Sequence, residues 1–207
     1  MQACRLRDRA GLGHEGWLPK GPFRFVAVDV ETASHRRGSI CQIGLALVHD
    51  DHRIRTWSTL VDPRGPFSRG NIRVHGITPA DVVGAPRFAD VMEAIRPVME
   101  RHPLVQHSRF DQRAFEAACR DCGAPPPDAE WTDSVQLARK AWPELKRPAG
   151  TGHGLASLKR HLGLSFMHHD AGEDARAAAQ VALAAEERLS PLRHLHRRAV
   201  QMELPLT

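Results

Sequence analysis

The distribution of apolar residues predicts that regular structure begins near Arg24. Residues 25–28 form an unbroken apolar run, which is typical of a strand buried on both faces of a sheet. A second apolar run, Ile40–Val48, ends at a polar turn, and a third strand is expected over residues 54–61. Three strands joined by short connections predict an antiparallel meander.

After residue 66 the apolar spacing changes to that of helices, with one short strand candidate at Leu104–Gln106. Helices are predicted over residues 88–99, 109–122, 134–142, Leu155–Leu162 and Ala171–Leu189. The last of these is rich in alanine, which suits close packing on a sheet. The order of three strands, a helix, a strand and further helices indicates an α/β domain with a mixed sheet covered by helices.

Length and composition fit one domain with a proper core, since the chain has 207 residues and 42% hydrophobic content. We expect a flexible arm over residues 1–22, a domain over 23–190 and a tail over 191–207. No apolar run reaches the roughly 20 residues that cross a bilayer, and the N-terminus has no apolar signal region. These features predict a cytoplasmic protein without a membrane partner. The net charge of +5 permits a polyanionic partner but does not require one.

Two acids stand at the end of the first predicted strand. Asp29 and Glu31 project from the same face as Phe25 and Ala27, because side chains alternate along a strand. Adjacent carboxylates repel each other, and their burial is costly unless a cation or hydrogen bonds compensate. The alternative is a pair of solvated acids where the strand emerges into water.

Two more acids lie on predicted helices, on the faces that should pack inward. Asp111 shares the apolar stripe of residues 109–122, although an acid in a first turn also complements the helix dipole. Asp174 shares a face with Ala178 and Val181 on the last helix. His168 and His169 precede that helix, and adjacent histidines at such a place are often ordinary polar loop residues.

Together these residues fit the hydrolysis of a phosphodiester. Four carboxylates supply hard oxygen ligands, which suit Mg²⁺ or Mn²⁺ rather than zinc. Two divalent ions about 4 Å apart can activate water and stabilise the leaving oxygen. A histidine with a pKa near 6.5 can accept the proton of the attacking water.

Three segments, in order, resemble the motifs of the DEDDh 3′→5′ exonucleases, typified by the proofreading (epsilon) subunit of bacterial DNA polymerase III. They are FVAVDVETAS with Asp29 and Glu31, HSRFDQRAF with Asp111, and HHDAGEDARAAA with Asp174. In the third motif the family's histidine precedes the aspartate by five positions, which selects His169 over His168. Segments between the motifs (SICQIGLALV, NIRVHGITPADV and WTDSVQLARKAWPEL) are also similar to the family. The chain departs from it at His107, where members often have asparagine.

The resemblance implies a ribonuclease-H-like fold with a mixed five-stranded sheet, two divalent cations and release of nucleoside 5′-monophosphates. It implies that Asp29 bridges both ions, that Glu31 and Asp174 complete one site or orient water, and that Asp111 holds the second ion. His169 is the implied general base. Thr32 is similar in position to the residue whose backbone meets the 3′-terminal nucleotide, and His75 lies in a segment near that pocket. Structural roles for Thr32 and His75 remain open.

The last seven residues resemble the short peptide by which bacterial replication proteins dock on the sliding clamp. Gln201 is followed by the spaced apolar residues Met202, Leu204 and Leu206, which an extended tail can place in a hydrophobic pocket. Alternatively, these residues fold back onto the domain. The tail favours DNA over RNA as the substrate whose 3′ end is cleaved. An RNA exonuclease of the same fold and a non-catalytic nucleic-acid or polymerase-binding module are the competing interpretations.

Overall fold

A computed structural model describes residues 18–19, 21–165 and 169–190 of the chain. Its centre is one five-stranded sheet of order β3-β2-β1-β4-β5. The strands are β1 Phe25–Thr32, β2 Ile40–Val48, β3 Ile54–Leu60, β4 Leu104–Gln106 and β5 Trp131–Asp133. Strands β1 to β3 pair antiparallel, whereas β4 and β5 run parallel to β1. The predicted meander and the mixed ribonuclease-H-like sheet are therefore confirmed.

Helices cover both faces of the sheet. They are α1 Arg69–His75, α2 Phe88–Arg101, α3 Phe110–Cys122, α4 Ser134–Ala141, α5 Leu155–Leu162 and α6 Ala171–Leu189, with a 3₁₀ turn at Pro143–Leu145. The predicted helices all form, with ends within two residues of those expected. Helix α1, strand β5 and the 3₁₀ turn were not predicted. Helix α1 has no buried residue and so no apolar period, while β5 and the turn are only three residues long.

The two faces of the sheet are packed by different kinds of side chain. Large residues from β1 and β2, including Val28 and Leu45, pack with α2 and α3 around Phe115. The opposite face carries small residues, among them Ala27 and Ala46, against the alanines of α6. One helix therefore lies close to the sheet, and two lie farther away behind bulky side chains.

The two cysteines of α3 differ in burial. Cys119 is buried, whereas Cys122, the last residue of the helix, is exposed. Within the described residues, no helix combines the length and apolar character that a membrane crossing requires. The arm over residues 1–22 and the tail over 191–207 remain predictions, since residues 1–17 and 191–207 lie outside the described part.

Candidate active site

The first two candidate acids lie at the carboxyl end of β1, on the face that α6 covers. In the pairing with β2, Asp29 is opposite Gly44 and Glu31 is opposite Gln42. The strand becomes irregular between Glu31 and Thr32, where the register shifts by one residue. Both acids are only partly exposed, so the sheet holds two carboxylates next to each other in poor contact with water.

Gly44 allows the start of α6 to approach this pair. A Cβ atom at position 44 would collide with the backbone of Ala171 and Gly172. Because those atoms belong to the backbone, no side-chain rotation relieves the collision. The close approach brings Asp174, in the first turn of α6 and 3% exposed, to the carboxyl end of β1.

Gln42 holds the same helix terminus with both atoms of its side-chain amide. Its Nε2 donates to Asp170 Oδ2 at 3.2 Å, and its Oε1 accepts from the backbone N–H of Ala171 at 3.2 Å. Asp170 in turn caps α6 by accepting from the N–H of Glu173. The two-point contact fixes α6 opposite Glu31, although nothing in the apolar pattern singled out Gln42 or Asp170.

Asp111 reaches the same place from the other side of the sheet. It lies in the first turn of α3 and is 3% exposed. Its Oδ1 accepts from the backbone N–H of Val30 at 3.2 Å, between the two acids of β1. Its position in the first turn also complements the helix dipole, and its burial keeps the carboxyl group away from solvent.

The acids raise one another's pKa values. The pKa of Asp29 is well above its usual range. Burial is the largest cause, and the charges of Asp111, Asp174 and Glu31 raise it further. Burial, with the charges of Asp174 and Asp170, raises the pKa of Glu31 to about 7. Burial also raises the pKa of Asp111 to about 8, despite the opposing hydrogen bond from Val30. Three separate segments, namely β1, α3 and the start of α6, therefore place interacting carboxyl groups in one desolvated cluster.

His169 joins two of these acids. Its backbone N–H donates to Asp174 Oδ2 at 2.8 Å, and its φ of 70° lies in the left-handed region. Glu31, His169 and Asp174 each offer one ligand atom, and these three atoms lie within 4.8 Å of one another. His168, the alternative histidine, lies outside the described residues.

The cluster fits divalent cations by its chemistry. Its donors are carboxylate oxygens and an imidazole nitrogen, and among the described residues no lysine or arginine forms an ion pair with Asp29, Glu31 or Asp111. Ionised carboxylates at this density are costly without a positive charge between them. Oxygen-rich sites of this kind suit Mg²⁺ or Mn²⁺.

Thr32 and His75 are in direct contact. Asn71, which the apolar pattern did not single out, binds the same carbonyl oxygen of Thr32. The carbonyl oxygen of Thr32 accepts from Asn71 Nδ2 at 2.7 Å and from His75 Nε2 at 3.1 Å. His75 Nδ1 accepts from the N–H of Ile77, which fixes the tautomer that donates to Thr32. Burial lowers the pKa of His75, and the nearby His169 adds to the effect. Helix α1 is thus fastened to the residue after Glu31 by polar contacts.

His107, which replaces the asparagine common in the second motif, connects three segments. Its Nδ1 lies 2.8 Å from Ser134 Oγ at the start of α4, and its Nε2 donates to the carbonyl of His153 at 3.1 Å. The hydrogen bonds of His107 therefore hold α4 and the loop before α5 to the end of β4. Asp111 follows four residues later and keeps its place in the cluster.

Comparison with known proteins agrees with this arrangement. Residues 26–182 match the exonuclease family RNase_T. The PolC-type DNA polymerase III of Clostridium perfringens is 29% identical over 161 residues, which are 76% of this chain and 11% of that protein. Exonuclease X in complex with 5′-overhanging duplex DNA superposes with a TM-score of 0.65 at 25% identity, over 80% of this chain and 92% of that one.

A second solved structure extends the likeness in fold. The nuclease domain of 3′hExo, a DEDDh family member bound to rAMP, has a TM-score of 0.66 at 18% identity, over 79% of this chain and 91% of that domain. The chain spans only 11% to 34% of the length of the first curated relatives that it matches. The family match itself covers most of the chain and all five residues of the acid and histidine cluster. The chain belongs to the RNase_T exonuclease family.

Proposed function

We propose that the chain is a 3′→5′ exonuclease that removes nucleoside 5′-monophosphates from the 3′ end of single-stranded DNA. The observation that carries the proposal is the convergence of Asp29, Glu31, Asp111 and Asp174 in one buried cluster, in which burial and neighbouring negative charge raise the pKa values of Asp29, Glu31 and Asp111. The relatives of the PolC type and the DNA-bound Exonuclease X support DNA as the substrate. We expect the enzyme to act in the cytoplasm, in DNA replication or repair.

In the proposed site, the carboxylates of Asp29, Glu31, Asp111 and Asp174 would hold two Mg²⁺ or Mn²⁺ ions. Asp29 would be shared by both ions, Glu31 and Asp174 would complete one site or orient water, and Asp111 would hold the second ion. The divalent ions supply positive charge that stabilises the phosphorane-like transition state and lowers the pKa of the attacking water. The carboxylates keep this charge at the carboxyl end of β1, where α6 shields one side from solvent.

His169 is the proposed general base. A ring nitrogen of His169 lies within 4.8 Å of a carboxylate oxygen of Glu31 and of one of Asp174. A proton on this ring is therefore stabilised by neighbouring negative charge. Its backbone is held through the N–H donated to Asp174, which limits the positions that the ring can take. The histidine accepts one proton from the water that attacks the terminal phosphodiester, and the 3′ oxygen of the preceding nucleotide leaves.

Thr32 and His75 form the proposed contact to the terminal nucleotide. Thr32 follows Glu31 directly, so a nucleotide against this segment presents its 5′ phosphate to the acids. Its carbonyl is already occupied by Asn71 and His75, which leaves the irregular end of β1 as the contact surface. Asn71 fixes the segment, whereas His75 both fixes it and remains a proposed contact to the nucleotide.

The test uses 5′-labelled single-stranded DNA and RNA of equal length, with Mg²⁺, Mn²⁺ or chelator. We expect a ladder of DNA products that shortens from the 3′ end only when metal is present. Asp29→Ala and Asp174→Ala should remove it, and the exposed turn variant Asp50→Ala should keep it. Shortening of RNA alone would replace the DNA assignment, and wild-type activity in either site variant would refute the site.

We also propose that the tail over residues 201–206 docks on a polymerase sliding clamp. The sequence pattern supports this, with Gln201 at the edge of a hydrophobic pocket and Met202, Leu204 and Leu206 as anchors. These residues lie outside the described part of the chain. Purified clamp should recover the full chain but not a chain that ends at Val200, and equal recovery of both would contradict the proposal.

A further inference from the structure

Positive charge is concentrated in one segment, residues 134–165, which contains α4, the 3₁₀ turn and α5. The segment carries six lysine and arginine residues against one acid, Glu144. Its net charge of +5 equals that of the whole chain. The other described residues contain 16 lysines and arginines against 20 acids and are net negative. This segment therefore supplies the excess positive charge of the described structure.

Five of the six cations of this segment are exposed, namely Arg139, Lys140, Lys146, Arg147 and Arg160. No described acid forms an ion pair with these five, whereas Arg24, Arg53 and Arg96 elsewhere in the described structure each have one. Like charges gathered without counter-ions repel one another, and a polyanion would relieve that repulsion. We call these five residues the basic surface.

The segment that carries the basic surface is attached to the edge of the active site. Strands β1, β4 and β5 are parallel, so their carboxyl ends lie at the same edge of the sheet as Asp29 and Glu31. Helix α4 starts there, directly after β5, and Ser134 contacts His107. The loop after the 3₁₀ turn returns to that edge, where the carbonyl of His153 accepts from His107.

The loop that carries Lys146 and Arg147 is held in a defined shape. The N–H of Gly152 donates to the carbonyl of Leu145 at 2.8 Å, and the Arg147 guanidinium donates to the carbonyl of Thr151 at 3.4 Å. His153, two residues after Thr151, is held at the edge of the active site by its hydrogen bond with His107. The loop therefore presents its charges from a position tied to the second motif.

We propose that the basic surface binds the phosphate backbone of the substrate strand several nucleotides upstream of the 3′ end. This inference rests on the proposed function and names the part of the protein that engages the rest of the strand. The terminal phosphate meets a cluster of acids, which repels a polyanion when it is metal-free. Cations beside that cluster offset this repulsion and make affinity depend on strand length and on salt.

The binding test needs no catalysis. A fluorescent 20-nucleotide single strand is titrated in chelator, from about 50 to 200 mM salt, against the wild type and two triple variants. The basic-surface variant is Arg139→Gln, Lys140→Gln, Lys146→Gln. The matched control removes three exposed cations elsewhere, with Arg55→Gln, Arg101→Gln and Arg120→Gln. Each phosphate contact to a single strand contributes about 0.7 to the salt slope, so we expect the basic-surface variant alone to lose about 2.

Activity on substrates of different length provides the second readout. The basic-surface variant should lose about tenfold in kcat/KM on the 20-nucleotide strand at low salt. It should hydrolyse thymidine 5′-monophosphate p-nitrophenyl ester at the wild-type rate, because that substrate reaches only the terminal site. Absence of hydrolysis by the wild type would refute the proposed function, while the salt slopes would still test the surface.

Equal salt slopes in the two triple variants would overturn the proposal. So would binding of the wild type to vesicles of phosphatidylserine but not to the oligonucleotide, which would indicate an anionic lipid surface instead. The glutamine changes are at exposed positions, and thermal unfolding of each variant checks that the fold is retained.

Discussion

The two faces of the sheet use the same strands for different purposes. One face carries Val28, Leu45 and other large residues against α2 and α3, which is ordinary core packing. The other face carries alanine and one critical glycine against α6. The small residues bury less apolar area per side chain. They allow a helix with an acid in its first turn to reach two acids on a strand.

The comparison shows how a fold can accept a destabilising site. Large residues on one face supply apolar burial, and the close approach on the other face brings together carboxyl groups whose ionisation burial opposes. Two adjacent residues of β2 show the difference. Leu45 points to the face that large side chains fill, and Gly44 points to α6.

The largest expected effect is on the bulky face. Leu45→Ala removes a fully buried side chain and should lower the free energy of unfolding by about 2–5 kcal/mol. Nuclease activity of the folded protein should be retained, because Asp29, Glu31 and Asp174 lie on the other face and Asp111 is held at the start of α3 by its hydrogen bond from Val30. Urea unfolding and a 3′-shortening assay at low temperature measure the two quantities. Loss of activity in folded Leu45→Ala protein would show that the faces are not separable.

The matching change on the small-residue face is Gly44→Ala. The added Cβ meets the backbone of Ala171 and Gly172, so α6 must shift and carry Asp174 and His169 with it. A displacement of about 1 Å in a catalytic group is expected to lower kcat by roughly 100-fold, which is about 2.7 kcal/mol in the barrier. Steady-state kinetics on a labelled strand check this, and wild-type turnover would contradict the close-approach argument.

The acid cluster also predicts a dependence of stability on pH in metal-free protein. Folding raises the pKa of Asp111 to about 8 and that of Glu31 to about 7. A group whose folded pKa is raised contributes stability below its unfolded pKa and loses it as pH rises through the folded value. In chelator, the unfolding free energy should therefore fall between about pH 4 and pH 8.

Asp111→Asn isolates that effect, since the amide copies the shape of the protonated acid. At pH 8 in chelator the variant should be more stable than the wild type by at least about 1.4 kcal/mol, the equivalent of one pKa unit. At pH 4 the difference should disappear. Urea unfolding at both values measures it, and a variant that is less stable at pH 8 would contradict the proposed charge repulsion.

The smallest expected effect concerns the hydrogen bonds that hold α1 to Thr32. Asn71→Ala removes the donor to the carbonyl of Thr32 and should lower kcat/KM about tenfold, or about 1.4 kcal/mol. Ser68→Ala is the control: it removes the helix cap and a hydrogen bond to Asn71 Oδ1 but keeps the amide that donates to Thr32, so its loss should be smaller. Equal losses in both variants would assign the effect to helix stability alone.

The fold was largely predictable because its strands and long helices carry clear periods. The acids were predictable in part: strand alternation placed Asp29 and Glu31 on one face, and helical spacing placed Asp111 and Asp174 inward. Their convergence came from the family resemblance, since distance between segments is not written in local periodicity. Gln42, Asn71 and Asp170 could not be found in this way, because each acts through specific hydrogen bonds between segments that are distant in sequence.

The most direct test of the central claim is a titration of Mn²⁺ into metal-free protein by calorimetry. We expect the wild type to bind Mn²⁺. Asp29→Asn should lose that binding, because it keeps the shape of the side chain but removes its charge. Mn²⁺ binding of equal stoichiometry and affinity in the two proteins would contradict it.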